Sequence, residues 1–172
     1  MVHTTEDYQE HVDKIAGELG CLVAQRPGMA GMMYVEYEPP MIEGPVLGSK
    51  FSIEADYYVM LHELGHVFHG HTQGRPPYNE KKFYFENGVL RSEAEAWEYA
   101  IDTSLLGPEG FSAETGRFMW ERCMGTYYQG AVWAGGRGNQ RLGNGHRHHV
   151  AFTYDEPDAY FWSIKERMLR GT

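Results

Sequence analysis

The chain has 172 residues, of which 42% are hydrophobic, and it carries a formal net charge of −9 at pH 7. A chain of this length buries about 70% of its unfolded surface, so we expect one domain that needs no disulfide staples. The two cysteines exclude a disulfide framework and zinc-finger spacing, and no signal-like or membrane-length apolar run is present, so a cytoplasmic protein without membrane contact is expected.

The charge is divided unevenly along the chain. Residues 1–116 hold 7 Lys and Arg against 19 Asp and Glu, whereas residues 117–172 hold 8 against 5. Because phosphate binding needs a basic surface, the acidic first part argues against a nucleic-acid partner. The later part contains Arg137, Arg141 and Arg147 near three histidines. We interpret this run as a solvated loop, with contact to an acidic partner or RNA as the alternative.

The spacing of apolar residues predicts the first elements. Residues 5–19 form an amphipathic helix that ends at Gly20, and residues 32–38 form a strand that ends at two prolines. Ser52 is then the predicted N-cap of an apolar-rich helix that extends to about Phe68, with acidic residues in its first turn.

This second helix carries an HExxH run at residues 62–66. Positions i and i+4 of a helix lie on the same face, so the imidazoles of His62 and His66 can bind one Zn²⁺. Glu63 lies beside them and can polarise a water molecule bound there. These residues predict a metallohydrolase, and a core helix that carries histidines by chance is the alternative.

A zinc site needs a third protein ligand. His69 and His71 follow the run closely, but the chain would have to turn sharply for either to reach the same ion. We therefore predict that these two histidines face solvent or support a ligand from behind.

The helix-forming run 91–100 offers three carboxylates instead. Glu93 and Glu95 are two residues apart and point to different sides of a helix, so only one can bind the ion. Ser92 with Glu95 matches a capping box, which leaves Glu93 as the predicted ligand. Glu98 is interpreted as a solvated helix residue.

The remaining elements follow in order. Residues 82–86 predict a short strand before a turn at residues 87–88, and the helix that carries Glu93 extends to about Leu106. Ser112 caps a further helix to about Tyr128.

The predicted boundaries divide the chain into three parts. Residues 1–129 form the core, residues 130–150 form a glycine-rich loop, and residues 151–172 contain a last helix that packs on the same domain.

Several motifs together resemble the ImmA/IrrE metallopeptidase domain over about residues 5–108. They are residues 19–23, the glycines of residues 28–31, the β-like run 32–37, the LHELGH segment, Glu93 with Ala96, Tyr99 with Ala100, and the LLGP run 105–108. Trp97 stands where that family usually has Asn or Asp. The resemblance implies zinc held by His62, His66 and Glu93, with Glu63 as general base, and a protein substrate such as a repressor-type regulator.

We therefore expect an α+β fold. It is a small zincin-like domain with a short twisted β-sheet, an HExxH helix, a following Glu-bearing helix and C-terminal helices. The expected function is that of a zinc-dependent metallopeptidase that acts on a cytosolic protein or peptide.

Two alternatives to a peptidase stay open, as does the donor for the oxyanion of the reaction. One alternative is a non-catalytic metal-binding regulatory module, and the other is a peptide-deformylase-like amidase with Cys21 as third ligand. The candidate oxyanion donors are Tyr78, Tyr84, His146, His148 and His149.

Overall fold

The computed structural model describes residues 3–34, 37–71, 89–107, 111–128 and 157–170. Within these ranges, helices surround a three-stranded sheet, which confirms the predicted α+β class. In chain order the elements are α1 (Thr5–Glu18), β1 (Leu22–Arg26), β2 (Met32–Tyr34), β3 (Met41–Pro45), α2 (Ile53–Phe68), α3 (Val89–Thr103), α4 (Ala113–Phe118) and α5 (Ala159–Met168). The predicted strand 82–86, its turn and the glycine-rich loop lie outside the described residues.

The sheet has β3 at its centre, with β1 parallel to it on one side and β2 antiparallel on the other. Ile42 of β3 is fully buried and pairs with Val23 on one side and Met33 on the other. β2 ends at Tyr34, so the prediction of one strand over residues 32–38 was too long. Residues 37–39 form a bend before the second of the two prolines, which cannot donate to a strand ladder.

α1 begins at a capping box and packs on α2 through one apolar face. The Thr4 hydroxyl accepts the Asp7 N–H at 3.2 Å, and the Asp7 carboxylate accepts the Thr4 N–H at 2.7 Å. The buried face consists of Tyr8, Val12, Ile15 and Ala16. Gly20 takes a φ of 63° directly after the helix, a conformation that favours glycine and that ends the helix as predicted.

α2 is the central helix of the core. The Ser52 hydroxyl accepts the Ala55 N–H at 3.1 Å, which makes Ser52 the N-cap as predicted. The helix is buried from Ala55 to His66 because α1, β3 and α3 pack around it. A helix that is apolar nearly all round is stable only in such a position.

α3 crosses α2 at Gly65, where the two backbones approach closely. A Cβ atom at Gly65 would lie 2.7 Å from the carbonyl oxygen of Ala96. The glycine of the HExxH run therefore permits this crossing, and the crossing determines which residues of α3 face the two histidines.

The C-terminal part of the chain covers the other side of α3. α4 begins at Ser112, as predicted, and continues as a π-helical segment over Met119–Met124 and a further helical turn over residues 125–128. α5 buries Phe161, Ile164 and Met168, and its Arg167 binds Asp102 of α3. None of the helices in the described ranges has the length and apolar character needed to cross a membrane.

Candidate metal centre

Three side chains converge where α2 and α3 cross. His62 Nε2 lies 3.0 Å from His66 Nε2 and 3.2 Å from one carboxylate oxygen of Glu93, and His66 Nε2 lies 3.5 Å from the other. His66 and Glu93 are each 1% exposed, and His62 is 7% exposed. The structure thus brings together the three residues that the sequence predicted as ligands.

The donor atoms fit a zinc ion. Four ligands placed tetrahedrally at about 2.0–2.1 Å from zinc lie about 3.3–3.4 Å from one another. The observed spacings of 3.0, 3.2 and 3.5 Å bracket that value. Glu63 Oε2 and Glu93 Oε2 are buried without a hydrogen-bond partner among the described residues. Buried polar atoms are rarely left in this state, so an ion with bound water would complete their contacts.

Glu93 is held as a carboxylate. Burial by itself would raise the pKa of Glu93, but the neighbouring His66 and His62 outweigh it and keep the pKa well below its usual value. The metal centre therefore contains a fixed negative charge.

Glu63 lies in the same buried place but is set apart from the histidine nitrogens. Burial raises its pKa to about 7, and the charge of Glu93 adds to the effect while His66 opposes it. Its carboxylate rests against Gly31, just before β2, where any side chain would collide with it. A carboxylate whose pKa lies near neutrality can both accept and return a proton.

The role predicted for Glu95 was wrong. α3 begins at Val89, so Ser92 is a buried residue inside the helix and is not its N-cap. Glu95 instead accepts hydrogen bonds from Arg91 at 3.0 Å and from His71 at 2.9 Å. Because the helix starts earlier than the sequence suggested, no capping box forms.

His71 supports His66 from behind. Its Nδ1 atom lies 2.9 Å from His66 Nδ1, on the side of the ring opposite the Nε2 atom that faces His62 and Glu93, and the side chain is 8% exposed. Burial, together with His66, lowers the pKa of His71 to about 4, which keeps the ring neutral. His69 is exposed and stacks on His71 with a centroid distance of 5.2 Å.

Trp97 covers His62. The two rings stack with centroids 4.2 Å apart, and the indole is 1% exposed with its Nε1 atom unpartnered among the described residues. An aromatic ring at this position orients the His62 imidazole by contact, whereas an amide or carboxylate would orient it by a hydrogen bond.

Tyr127 and Cys123 reach the centre from the segment that follows α4, and the sequence analysis missed both. The Tyr127 hydroxyl lies within hydrogen-bonding reach of Glu93, and the negative charge of that carboxylate, followed by burial, raises the pKa of Tyr127 well above its usual value. Burial raises the pKa of the Cys123 thiol to about 12, with Glu93 and Glu63 adding to the effect. π-Helical turns often occur at functional sites, but the sequence does not reveal them.

The other candidates from the sequence are placed as follows. Cys21 is buried with its thiol directed to the Leu22 carbonyl oxygen, and it belongs to neither metal-capable group of the described residues. Glu98 binds the Tyr160 hydroxyl and Arg167, so it links α3 to α5, while its side chain stays 37% exposed. The five oxyanion candidates Tyr78, Tyr84, His146, His148 and His149 lie outside the described residues.

Comparisons of the chain with protein-family models, with curated proteins and with solved structures found no match. The function of the chain is therefore inferred from the geometry of the centre itself.

Proposed function

We propose that the protein is a zinc-dependent metallopeptidase with a zincin-like catalytic domain. The observation that carries the proposal is the convergence of His62, His66 and Glu93 beside a buried Glu63, whose Oε2 atom has no hydrogen-bond partner among the described residues. Two imidazoles and one carboxylate leave a fourth position open, as in catalytic zinc sites and unlike closed structural ones. Zinc bound there would lower the pKa of its water and polarise the scissile carbonyl.

The proton transfers and the stabilisation of the oxyanion are assigned to residues of the chain. Glu63 takes a proton from the attacking water and returns it to the leaving amine, a role that suits a carboxylate with a pKa of about 7. Tyr127 is the proposed donor for the oxyanion, because its hydroxyl is protonated at neutral pH and lies close enough to Glu93 and Glu63 for their charges to raise its pKa. Trp97 and the buried end of α2 exclude water from the rest of the site.

A peptide substrate suits the sheet next to the centre. β2 pairs with β3 on one side only, within the described part of the chain, and Gly31 at its start touches Glu63. An extended peptide can add to an unpaired strand edge through its backbone. Such a peptide would pass Glu63, and a cytosolic protein with an exposed loop, such as a repressor-type regulator, is the proposed substrate.

A non-catalytic metal-binding module is the second candidate function. The observation that favours it is His62, whose Nδ1 has no hydrogen-bond partner among the described residues and whose ring stacks on Trp97. Metal ligands in enzymes usually donate this second N–H to a fixed acceptor. The deformylase-like alternative gains no support, because the thiol of Cys21 is directed to a backbone carbonyl.

Two measurements on the purified full chain test the proposal. Elemental analysis should find about one zinc per chain, strongly reduced in Glu93→Ala and unchanged in the matched control Cys21→Ser. Hydrolysis of an unfolded protein substrate should fall by at least ~10² in Glu63→Gln while zinc is retained.

The outcomes separate the candidates. Zinc retained without any hydrolysis by the parent protein would favour the binding module. Loss of zinc in Glu63→Gln would contradict the role of base, and loss in Cys21→Ser would favour the deformylase-like site.

A further inference from the structure

A chain of hydrogen bonds runs from the metal centre to the surface of α3. His66 Nδ1 lies 2.9 Å from His71 Nδ1, His71 Nε2 lies 2.9 Å from Glu95 Oε2, and Glu95 Oε1 accepts the Arg91 Nε–H at 3.0 Å. Arg91 also stacks on Tyr160 with its guanidinium carbon 3.8 Å from the ring centroid. Each group therefore has a fixed partner on the side away from the proposed ion.

The carboxylate of Glu95 determines which ring nitrogen of His71, and then of His66, carries the proton. A neutral imidazole carries one N–H, and an ionised carboxylate can only accept. His71 must therefore present its N–H to Glu95 from Nε2, which leaves a lone pair on its Nδ1. His66 must then present its own N–H from Nδ1, and its Nε2 is left with a lone pair directed at His62 and Glu93.

The reverse arrangement fails at Glu95. If His71 carried its proton on Nδ1, its unprotonated Nε2 would face a carboxylate oxygen at 2.9 Å. Two acceptors at this distance repel each other, and both are only partly solvated. One carboxylate thus fixes the tautomers of two histidines in series.

We propose that His71, anchored by Glu95 and Arg91, is a positioning residue that holds His66 in its metal-binding tautomer before any metal arrives. The inference rests on the proposed metal site and goes beyond it, because it assigns unequal roles to the two ligand histidines. His66 is preorganised, whereas His62 Nδ1 has no partner within the described part of the chain, and His62 must change its tautomer when it binds the ion. In the metal-free protein, the Nε2–H of His62 donates a hydrogen bond to His66 Nε2 across 3.0 Å.

A second metal ion is the competing use of the same residues. Ligand atoms of His69, His71 and Glu95 lie within 4.8 Å of one another. However, His71 Nε2 and Glu95 are already at hydrogen-bond distance, and Arg91 holds a positive charge 3.0 Å from the same carboxylate. A cation there would have to displace a proton and approach a guanidinium, so the hydrogen-bonded chain is the better account.

The direct test is the tautomer of each histidine, measured by long-range ¹H–¹⁵N correlation spectroscopy on the full chain with and without zinc. The proton of His66 should be on Nδ1 in both states, and that of His62 should move from Nε2 to Nδ1 when zinc is added. A proton on His66 Nε2 in the metal-free protein would overturn the proposal. The tautomer of His66 in the metal-free protein is measured without zinc and without activity. That measurement therefore decides the proposal even if the proposed function is wrong.

Zinc affinity, measured by competition with a chelating dye, gives the second test. His71→Ala should weaken binding by about 10–100-fold, the usual cost of losing such a support. His71→Asn should restore most of the affinity, because its amide oxygen can take the place of Nδ1 as acceptor. The matched control His69→Ala removes the neighbouring imidazole and should leave both affinity and stoichiometry unchanged.

Three results would contradict the proposal. They are equal losses in His69→Ala and His71→Ala, no rescue by His71→Asn, or two zinc ions per chain that fall to one in His69→Ala. The last of these would assign the residues to a second metal site. If the His71→Ala variant does not fold, Glu95→Gln is used in its place. In Glu95→Gln, we expect that the proton of His66 is no longer fixed on Nδ1.

Discussion

Replacing Gly65 with alanine tests whether the crossing of α2 and α3 sets the metal geometry. The added Cβ would lie 2.7 Å from the Ala96 carbonyl oxygen and 3.0 Å from Ala96 Cα, whereas ordinary contact begins at 3.4 Å. Both neighbours are backbone atoms of a packed helix, so α3 as a whole must move away by several tenths of an ångström. Glu93 lies less than one turn before Ala96 and moves with it.

The magnitude follows from two opposing effects. Overpacking of this kind costs about 1–3 kcal/mol, and the better helix propensity of alanine returns about 1 kcal/mol. The net destabilisation should be about 0–2 kcal/mol, which lowers Tm by at most about 8 °C for a domain of this size. Zinc affinity should fall more sharply, by at least ~10-fold, because ligands must be held to within about 0.5 Å.

Thermal unfolding with and without zinc measures both effects in one assay. Gly17→Ala is the matched control, since it makes the same change inside α1, where no atom lies within 4 Å of the new Cβ. That variant should gain about 0.5–1 kcal/mol and bind zinc normally. If Gly65→Ala binds zinc as tightly as Gly17→Ala, the close crossing does not control the site and the reasoning fails.

Three further predictions concern the segments that surround the centre. Tyr127→Phe should keep zinc and KM while kcat for an unfolded protein substrate falls by about 10²–10³, the effect of losing one oxyanion donor. An unchanged kcat would exclude that role. Ile164→Ala in α5 should destabilise the fold by about 2–5 kcal/mol in urea unfolding, because its side chain is fully buried. A smaller effect than that of the exposed control Ser163→Ala would show that α5 is not part of the core. Cys123 should resist alkylation at pH 8 in the folded protein and react in urea, because its pKa is about 12. Rapid modification of the native thiol would contradict this.

An ion at the candidate centre would also stabilise the fold. Glu63 and Glu93 are both buried, 6% and 1% exposed, and among the described residues the two histidines are the groups that offset the charge of Glu93. Burial keeps the pKa of Glu63 at about 7, so the metal-free protein accepts a proton there near neutral pH. An ion would neutralise this centre, so we infer that the free energy of zinc binding adds to the free energy of folding.

Two features made by residues close together in the chain were predicted correctly, whereas the short strands, which depend on residues far apart in the chain, were not. Ser52 and Ser112 were identified as helix caps because a cap is made by residues within one turn, and both are observed. The strand 32–38 was too long, and β1 and β3 were not separately predicted, because short strands are defined by their partners across the sheet. Glu95 was assigned to a cap because Ser92 with Glu95 matches a capping pattern, whereas α3 already includes Val89 and Ser92 lies inside it.

The sequence by itself determined that His62, Glu63 and His66 share one helix, with the two histidines on the same face. The helical repeat alone fixes that relation, and a run of apolar residues is enough to form the helix. Sequence reasoning chose Glu93 through a capping box that does not form, and only the tertiary structure brings this carboxylate to the two histidines, because α3 passes close to Gly65. His71 follows His66 closely in the chain, but its anchor Glu95 lies on α3 and meets it only when α3 packs on α2. The same holds for Tyr127 beside Glu93.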